Sequence, residues 1–249
     1  MKILKNTITS QRLSDALLNI RQVLLNIFYP KLCVSCGKYG QYLCAGCAGE
    51  IELLKTPTCF YCGKISPNGK SCLNCRARMK TDLFAIIPAV RYDIGPMKEI
   101  IHQLKYCGVS ELAEILAELI FQKIKNLDFG KNIIIVPVPL NIKKKNIRGY
   151  NQAELLAKYL SDRLECDFAD ILVRCRNTAS QTTLHRRERL LNLKSAFRCI
   201  DSNIIRGKTV LLIDDVATTG ATLSECSNVL KESCAKKVIG VVAARNILK

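Results

Sequence analysis

Eight cysteines between positions 33 and 75 fall into four CxxC pairs: Cys33/Cys36, Cys44/Cys47, Cys59/Cys62 and Cys72/Cys75. A CxxC knuckle turns two sulfurs toward one metal, and two knuckles complete a tetrahedral thiolate site of the kind zinc prefers. The stretch repeats itself, because CVSCGK followed by LCAGC is echoed by CFYCGK followed by SCLNC. Repetition favours consecutive pairing, with one zinc per half, over an interleaved arrangement in which the first knuckle joins the third. Four thiolates leave no coordination position for water, so the two expected zinc ions are structural and not catalytic. A redox CxxC is the competing possibility, but no thioredoxin-like βαβ pattern surrounds these pairs.

The second chemical constellation lies at 208–222, KTVLLIDDVATTGAT. Residues 209–213 form an unbroken, β-branched-rich run, the pattern of a strand buried on both faces of a parallel sheet. Asp214 and Asp215 end that run. A short turn follows, and then a segment in which Leu223, Cys226, Val229 and Leu230 recur at helical spacing. A turn feeding a helix N-terminus aims free N–H groups and the positive end of the helix dipole at one spot, which is an anion site. Gly220 permits close backbone approach, and the hydroxyls of Thr218, Thr219 and Thr222 add donors. Ionised Asp214 and Asp215 accept hydrogen bonds only, which suits a ribose diol or an adjacent Mg²⁺. Carboxylates for a diol beside amides for a phosphate describe a ribose 5-phosphate. A strand ending in acids before a Thr-capped helix would share some of these features; the complete order of them favours a ligand site.

The elements that must position these groups are legible from periodicity. Residues 82–249 read as one α/β domain. Strand-like runs occur at 83–92, 132–140 and 238–244, with helices through Met97, Ile100, Ile101 and Leu104, over 111–124, and from about Asn151 through Leu155, Leu156 and Leu160. The expected fold is a mostly parallel sheet with helices on both faces, preceded by a small zinc-ribbon domain at 31–78. A linker is expected at 78–82. Residues 1–30 carry an amphipathic helix whose apolar stripe runs from Leu13 to Phe28; its polar face lacks the cation density of a membrane-surface helix.

Lys143, Lys144, Lys145 and Arg148 arrive in a basic loop just after the apolar run at 132–140. That is the end of a strand in the same sheet as the aspartate pair, where open α/β sheets bind ligands. A basic loop there can neutralise an anionic ligand. Residues 174–197, polar and basic, interrupt the α/β rhythm; a closing lid, a surface insertion and a nucleic-acid contact all fit that composition. His102 and His185 have no partner in sequence and are not expected to act as bases. Cys107, Cys166, Cys175, Cys199, Cys226 and Cys234 lack paired spacing and are expected to be reduced thiols.

The chain has 249 residues, and Lys and Arg outnumber Asp and Glu 38 to 21, for a formal net charge of +17. It remains strongly basic even with eight thiolates around two zinc ions, which implies an anionic partner such as a nucleotide, a polyphosphate or nucleic acid. Basic and aromatic residues interleave through the ribbon, among them Lys38, Tyr39, Tyr42, Phe60, Tyr61 and Lys64. That mixture serves single-stranded nucleic acid, and it equally serves a small ribbon that needs aromatics to pack and cations to stay soluble. Fourteen cysteines and the absence of a long apolar run predict a cytoplasmic protein with reduced thiols and no membrane insertion.

The 208–222 stretch resembles the signature of type I phosphoribosyltransferases. That resemblance implies binding of 5-phosphoribosyl 1-pyrophosphate (PRPP) with Mg²⁺, with Asp214 and Asp215 holding ribose and Ala217, Thr218, Thr219, Gly220, Ala221 and Thr222 holding the 5-phosphate. Purine-salvage members place an acidic base where this chain has Thr218, so purine-salvage chemistry is disfavoured. RGYNQAELLA at 148–157, the set Arg174, Arg176, Thr178, Gln181, Leu184, Arg189, Asn192 and Phe197, and QLKYCG around Lys105 together resemble the competence protein F (ComF/ComFC) family. By that resemblance Gln181 and Arg189 join the basic residues as pyrophosphate or lid candidates. It also implies a cytosolic role in natural transformation, handling incoming single-stranded DNA with the competence helicase as a partner. Two alternatives share the same loop and charge: a non-catalytic PRPP-sensing or single-stranded-DNA-binding adaptor, and a phosphoribosyltransferase of nucleotide metabolism unrelated to competence.

Overall fold

The computed structural model describes residues 30–175 and 196–246. The chain divides into two compact units, Met1–Gly49 and Glu50–Lys249. The described part of the first holds one pair of cysteine knuckles and the short helix α1, Ala45–Gly49. In the second unit a second pair of knuckles leads into helix α2, Leu73–Met79. The chain then builds a sheet. Its elements in order are β1 (Ala85–Arg91), α3 (Met97–Tyr106), α4 (Leu112–Ile124), β2 (Ile133–Pro137), α5 (Ile142–Arg148), α6 (Gln152–Leu164), β3 (Asp167–Phe168), β4 (Leu172–Arg174), β5 (Phe197–Cys199), β6 (Thr209–Ala217), α7 (Ala221–Glu232) and β7 (Lys237–Arg245).

Five strands form one sheet in the order β1-β7-β6-β2-β3, every neighbouring pair parallel. The central strands are apolar along nearly their whole length because both faces are covered: Val210, Leu211, Leu212 and Ile213 are all fully buried. Alternation along β6 splits its side chains between the faces. Val210 and Leu212 join Leu223, Cys226 and Leu230 of α7 in one core cluster. Leu211, Ile213 and Asp215 therefore face the opposite side. Gly240, paired with Leu212, lies under α7, where a Cβ would stand 3.2 Å from Leu223 Cδ1.

The outer edge of β1 is not left open. Ser71 donates its amide to Phe84 at 2.8 Å, Lys70 bridges Ala85, and the Leu54 amide donates to Ala89 at 2.8 Å. An edge so paired cannot recruit another chain, and it tolerates Pro88 within β1. The second cysteine quartet is thus built onto the sheet. The expected linker at 78–82 is a tight exit from α2, with Lys80 in the left-handed region at φ 49°, fastened to α7 by Asn228: its Oδ1 accepts from the Asp82 amide and its Nδ2 donates to Lys80. Two local expectations change. The strand expected at 209–213 runs on to Ala217, because β7 continues to pair with it through Arg245. The basic loop at 143–148 is the helix α5, started by Asn141, whose side chain accepts from the Lys143 amide, and stopped by Gly149 at φ 83°. The N-terminal amphipathic helix and most of 174–197, including Gln181, His185 and Arg189, lie outside the described residues.

Candidate functional site

The repeat seen in the cysteine sequence is a repeat in space. In the first knuckle the Cys33 amide donates to Lys38 and the Gly37 amide to Cys33; in the third, Cys59 donates to Lys64 and Gly63 to Cys59. Gly37 and Gly63 take matching positive φ values of 74° and 73°, which is why glycine follows each of these knuckles. The sulfurs gather in consecutive quartets, Cys33/Cys36/Cys44/Cys47 and Cys59/Cys62/Cys72/Cys75. A zinc–sulfur bond of about 2.3 Å sets a tetrahedral sulfur–sulfur edge of about 3.8 Å. The edges Cys36–Cys44 at 3.6 Å, Cys59–Cys72 at 3.9 Å and Cys62–Cys72 at 3.9 Å match it. Backbone amides favour the thiolate at Cys33 and at Cys59, whereas Cys47 and Cys75 of the same quartets are raised to about 12. The amides of Cys36 and Cys44 bring the Cys33 thiol down to about 6. Burial opposes ionisation of Cys59, but the amides of Cys72 and Cys62 outweigh it and bring that thiol to about 7.

The second site lies at the C-terminal end of the sheet. Asp215 is buried, 4% of its side chain exposed, and Lys105 from the end of α3 reaches across to it with Nζ 2.8 Å from Oδ2. Asp214, one residue earlier and on the other face of the strand, accepts the Asp215 amide at 2.8 Å. Desolvation and the Asp215 charge push Asp214 up to about 7, with Lys105 opposing. Burial alone would lower Lys105, but Asp215 and then Asp214 hold it above its usual range. The strand end therefore carries one carboxylate committed to a lysine and one poised to gain or lose a proton near neutrality.

Beyond Ala217 the chain turns through Thr218, Thr219 and Gly220 into α7. Gly220 caps the helix in the left-handed region, φ 76°. Thr219, buried, folds its hydroxyl inward to accept the Ala221 amide at 3.3 Å, and the Gly220 carbonyl accepts Ser224 at 2.9 Å. Among the described residues, the amides of Thr218, Thr219 and Gly220 meet no backbone or side-chain acceptor. Amides without an acceptor in the turn that leads into a helix are available to an anion.

A basic cluster stands beside the Lys105–Asp215 pair. Lys144 is held below its ordinary range by partial desolvation and by the positive charges of Arg174, Arg148 and Lys105, in that order. That proximity brings α3, α5 and β4 to one place. Arg148 donates to Gln152 and lies 5.7 Å over the exposed ring of Tyr106. Lys145 is drawn aside to Glu154 at 3.2 Å. Lys143 sits at the first turn of α5, exposed.

Sequence reasoning placed Asp214, Asp215 and the 217–222 turn at one sheet end, and the structure places them there, with Lys144 and Arg148 grouped beside Lys105. Lys105 itself was not among the site candidates. Nothing in a lysine near the end of an amphipathic helix announces a carboxylate partner far along the chain; only the packing of α3 against the sheet brings them together. Phe60 and Tyr61 likewise carry no sequence signal that connects them with this turn. Phe60 is 3% exposed and packs in the core cluster with Tyr61 against it, so these two aromatics pack against the domain, while Tyr39 of the first quartet is 74% exposed.

A family model for the phosphoribosyl transferase domain matches residues 108–247, and one for a double zinc ribbon domain matches 24–76. Competence protein F of Haemophilus influenzae is 32% identical over 198 residues, covering 76% of this chain and 84% of that protein. DNA utilization protein YhgH of Escherichia coli is 33% identical over 221 residues, 84% of this chain and 94% of that one. Competence protein ComFC of Bacillus subtilis is 29% identical over 202 residues, 78% and 80%. With cysteine quartets that fit zinc and a parallel sheet whose end carries an acidic pair and a turn of open amides, the chain belongs to the competence protein F family, a phosphoribosyl transferase domain following a double zinc ribbon.

Proposed function

We propose that the sheet end binds PRPP, and that the protein uses this site in the handling of single-stranded DNA. One observation carries the ligand assignment: the carboxylates of Asp214 and Asp215 and the three open amides of Thr218, Thr219 and Gly220 lie on one continuous stretch at one sheet end. The amides fit a 5-phosphate. Asp214, ionised above about pH 7, accepts from the ribose hydroxyls. Lys105, Lys144 and Arg148 face the charge of the pyrophosphate. The oxygen donors at the strand end suit Mg²⁺, which, arriving with the pyrophosphate, would neutralise part of its charge.

If the protein turns over, the reaction is displacement of pyrophosphate from the anomeric carbon by a nitrogen nucleophile, and the basic cluster stabilises the departing group. Isothermal titration with PRPP and Mg²⁺ tests binding, and pyrophosphate release with and without amine or base acceptors tests catalysis. Tight binding without release above an Asp215→Asn control makes the protein a PRPP-responsive adaptor. No binding at millimolar PRPP removes the assignment.

The DNA role draws on the printed names of relatives, competence and DNA utilization proteins, and on the +17 charge. Among the described residues no helix is long and apolar enough to cross a membrane, and we place the protein in the cytoplasm, where a competence helicase would deliver the strand. Binding to a single-stranded oligonucleotide should weaken steeply with salt as neutralised phosphates regain counterions. A flat salt profile counts against it.

A further inference from the structure

The third cysteine knuckle reaches the phosphate turn. Phe60 and Tyr61 are the two residues between Cys59 and Cys62, and their rings meet edge to face, 5.6 Å apart at 89°. Both rings press on Gly220: a Cβ built there would lie 3.3 Å from Phe60 Cε1, 3.3 Å from Tyr61 Cε1 and 2.8 Å from Ile86 Cδ1. The glycine that caps α7 thus lies against the third cysteine knuckle. A second tie runs through Arg245, which pairs in register with Ala217 at the start of the turn. Its Nη2 donates to the Phe60 carbonyl at 2.6 Å, and its guanidinium sits 4.6 Å from the Phe60 ring. Burial holds Arg245 below its usual range, and the charge of Cys59 opposes that shift.

We infer that zinc in the second quartet, by clamping Cys59 and Cys62, uses Phe60 and Tyr61 as positioning residues that hold the turn at Gly220 in its anion-binding shape. The physical reason is that a two-residue insert between two metal ligands has almost no freedom of its own once both ligands are fixed. The Cα atoms of Phe60 and Tyr61 are fixed between the two held sulfurs and packing in the core cluster holds the rings against Gly220, and the turn, at a left-handed φ and short of internal hydrogen bonds, depends on such outside contacts to stay open. Metal occupancy and phosphate affinity are then linked, each favouring the other. The ligand half of this inference rests on the phosphate assignment above; the mechanical half rests only on the contacts.

The test uses the full chain and two readouts. Hydrogen exchange at 221–224, where the Ala221 and Ser224 amides are bonded to the turn, should rise about tenfold or more in Cys62→Ser, which loses the second zinc, and in Phe60→Ala, which keeps both zinc ions, while exchange at 209–213 stays slow in both. Phe60→Leu should restore part of the protection. Ribose 5-phosphate, titrated calorimetrically, should bind the zinc-loaded wild type and weaken about tenfold in Cys62→Ser and Phe60→Ala. Unchanged exchange at 221–224 in both variants overturns the inference whatever the binding result. Raised exchange in a protein whose zinc-loaded wild type ignores ribose 5-phosphate upholds the mechanical link and overturns the phosphate assignment.

Discussion

Lys105 and Asp215 form an ion pair of 2.8 Å between the end of α3 and the end of β6, with the carboxylate almost wholly removed from water. Such a pair contributes little net energy against an apolar equivalent, but loss of one partner leaves a charge uncompensated. Lys105→Met should therefore lower unfolding free energy in urea by about 3–5 kcal/mol. The double variant with Asp215→Asn should recover most of that, a coupling that two independent surface residues would not show.

Asp214 gives the site a pH dependence. Its folded pKa, about 7, lies above the ordinary carboxylate value of 3.8, so the folded state favours its protonated form. Its contribution to stability is full below the unfolded pKa and is lost as pH climbs from about 4 to 7. Asp214→Asn should raise the melting temperature at pH 8 and change it little at pH 4. Ligand affinity should run the other way: ribose 5-phosphate binding should strengthen from pH 6 to 8 in the wild type, beyond what ionisation of the phosphate itself supplies. The ionisation step is absent in Asp214→Asn.

Gly220 is constrained by conformation and by space together. Gly220→Ala places a methyl 2.8 Å from Ile86 Cδ1 at φ 76°. The left-handed strain alone costs about 1–2 kcal/mol. A melting temperature several degrees lower is expected, with phosphate binding reduced more than stability, because the turn must rotate away to relieve the contact.

Each quartet should bind one zinc, about two per chain by elemental analysis. Cys36→Ser and Cys62→Ser should each remove one. A wild-type protein with only one tightly held zinc would show that one quartet does not close.

The basic cluster should matter for pyrophosphate and not for the 5-phosphate. Lys144→Ala with Arg148→Ala should weaken PRPP binding by tenfold or more while changing ribose 5-phosphate affinity less than twofold. Equal losses for both ligands would place the cluster elsewhere.

The spacing of four CxxC pairs and their repeat set out both zinc quartets in advance, because knuckle geometry is local: the ligands, the following glycine and the amides that serve the sulfurs lie within a few residues of one another. The apolar runs set out the parallel sheet for the same kind of reason, since a strand covered on both faces must be apolar along its length. The length of β6 was not legible, because strand pairing through Ala217 is decided by β7 and not by the residues of β6.

What the sequence determined by itself is the order strand, acid pair, turn and helix, because each of those depends on neighbours in the chain. Only the tertiary structure decided that Asp215 is held by Lys105, that Asp214 is pushed toward neutrality, that Lys144 and Arg148 share a place with Arg174, and that a zinc knuckle leans on Gly220. These are contacts between segments far apart along the backbone, and their energies come from burial and charge in a packed interior, which local residue types do not encode.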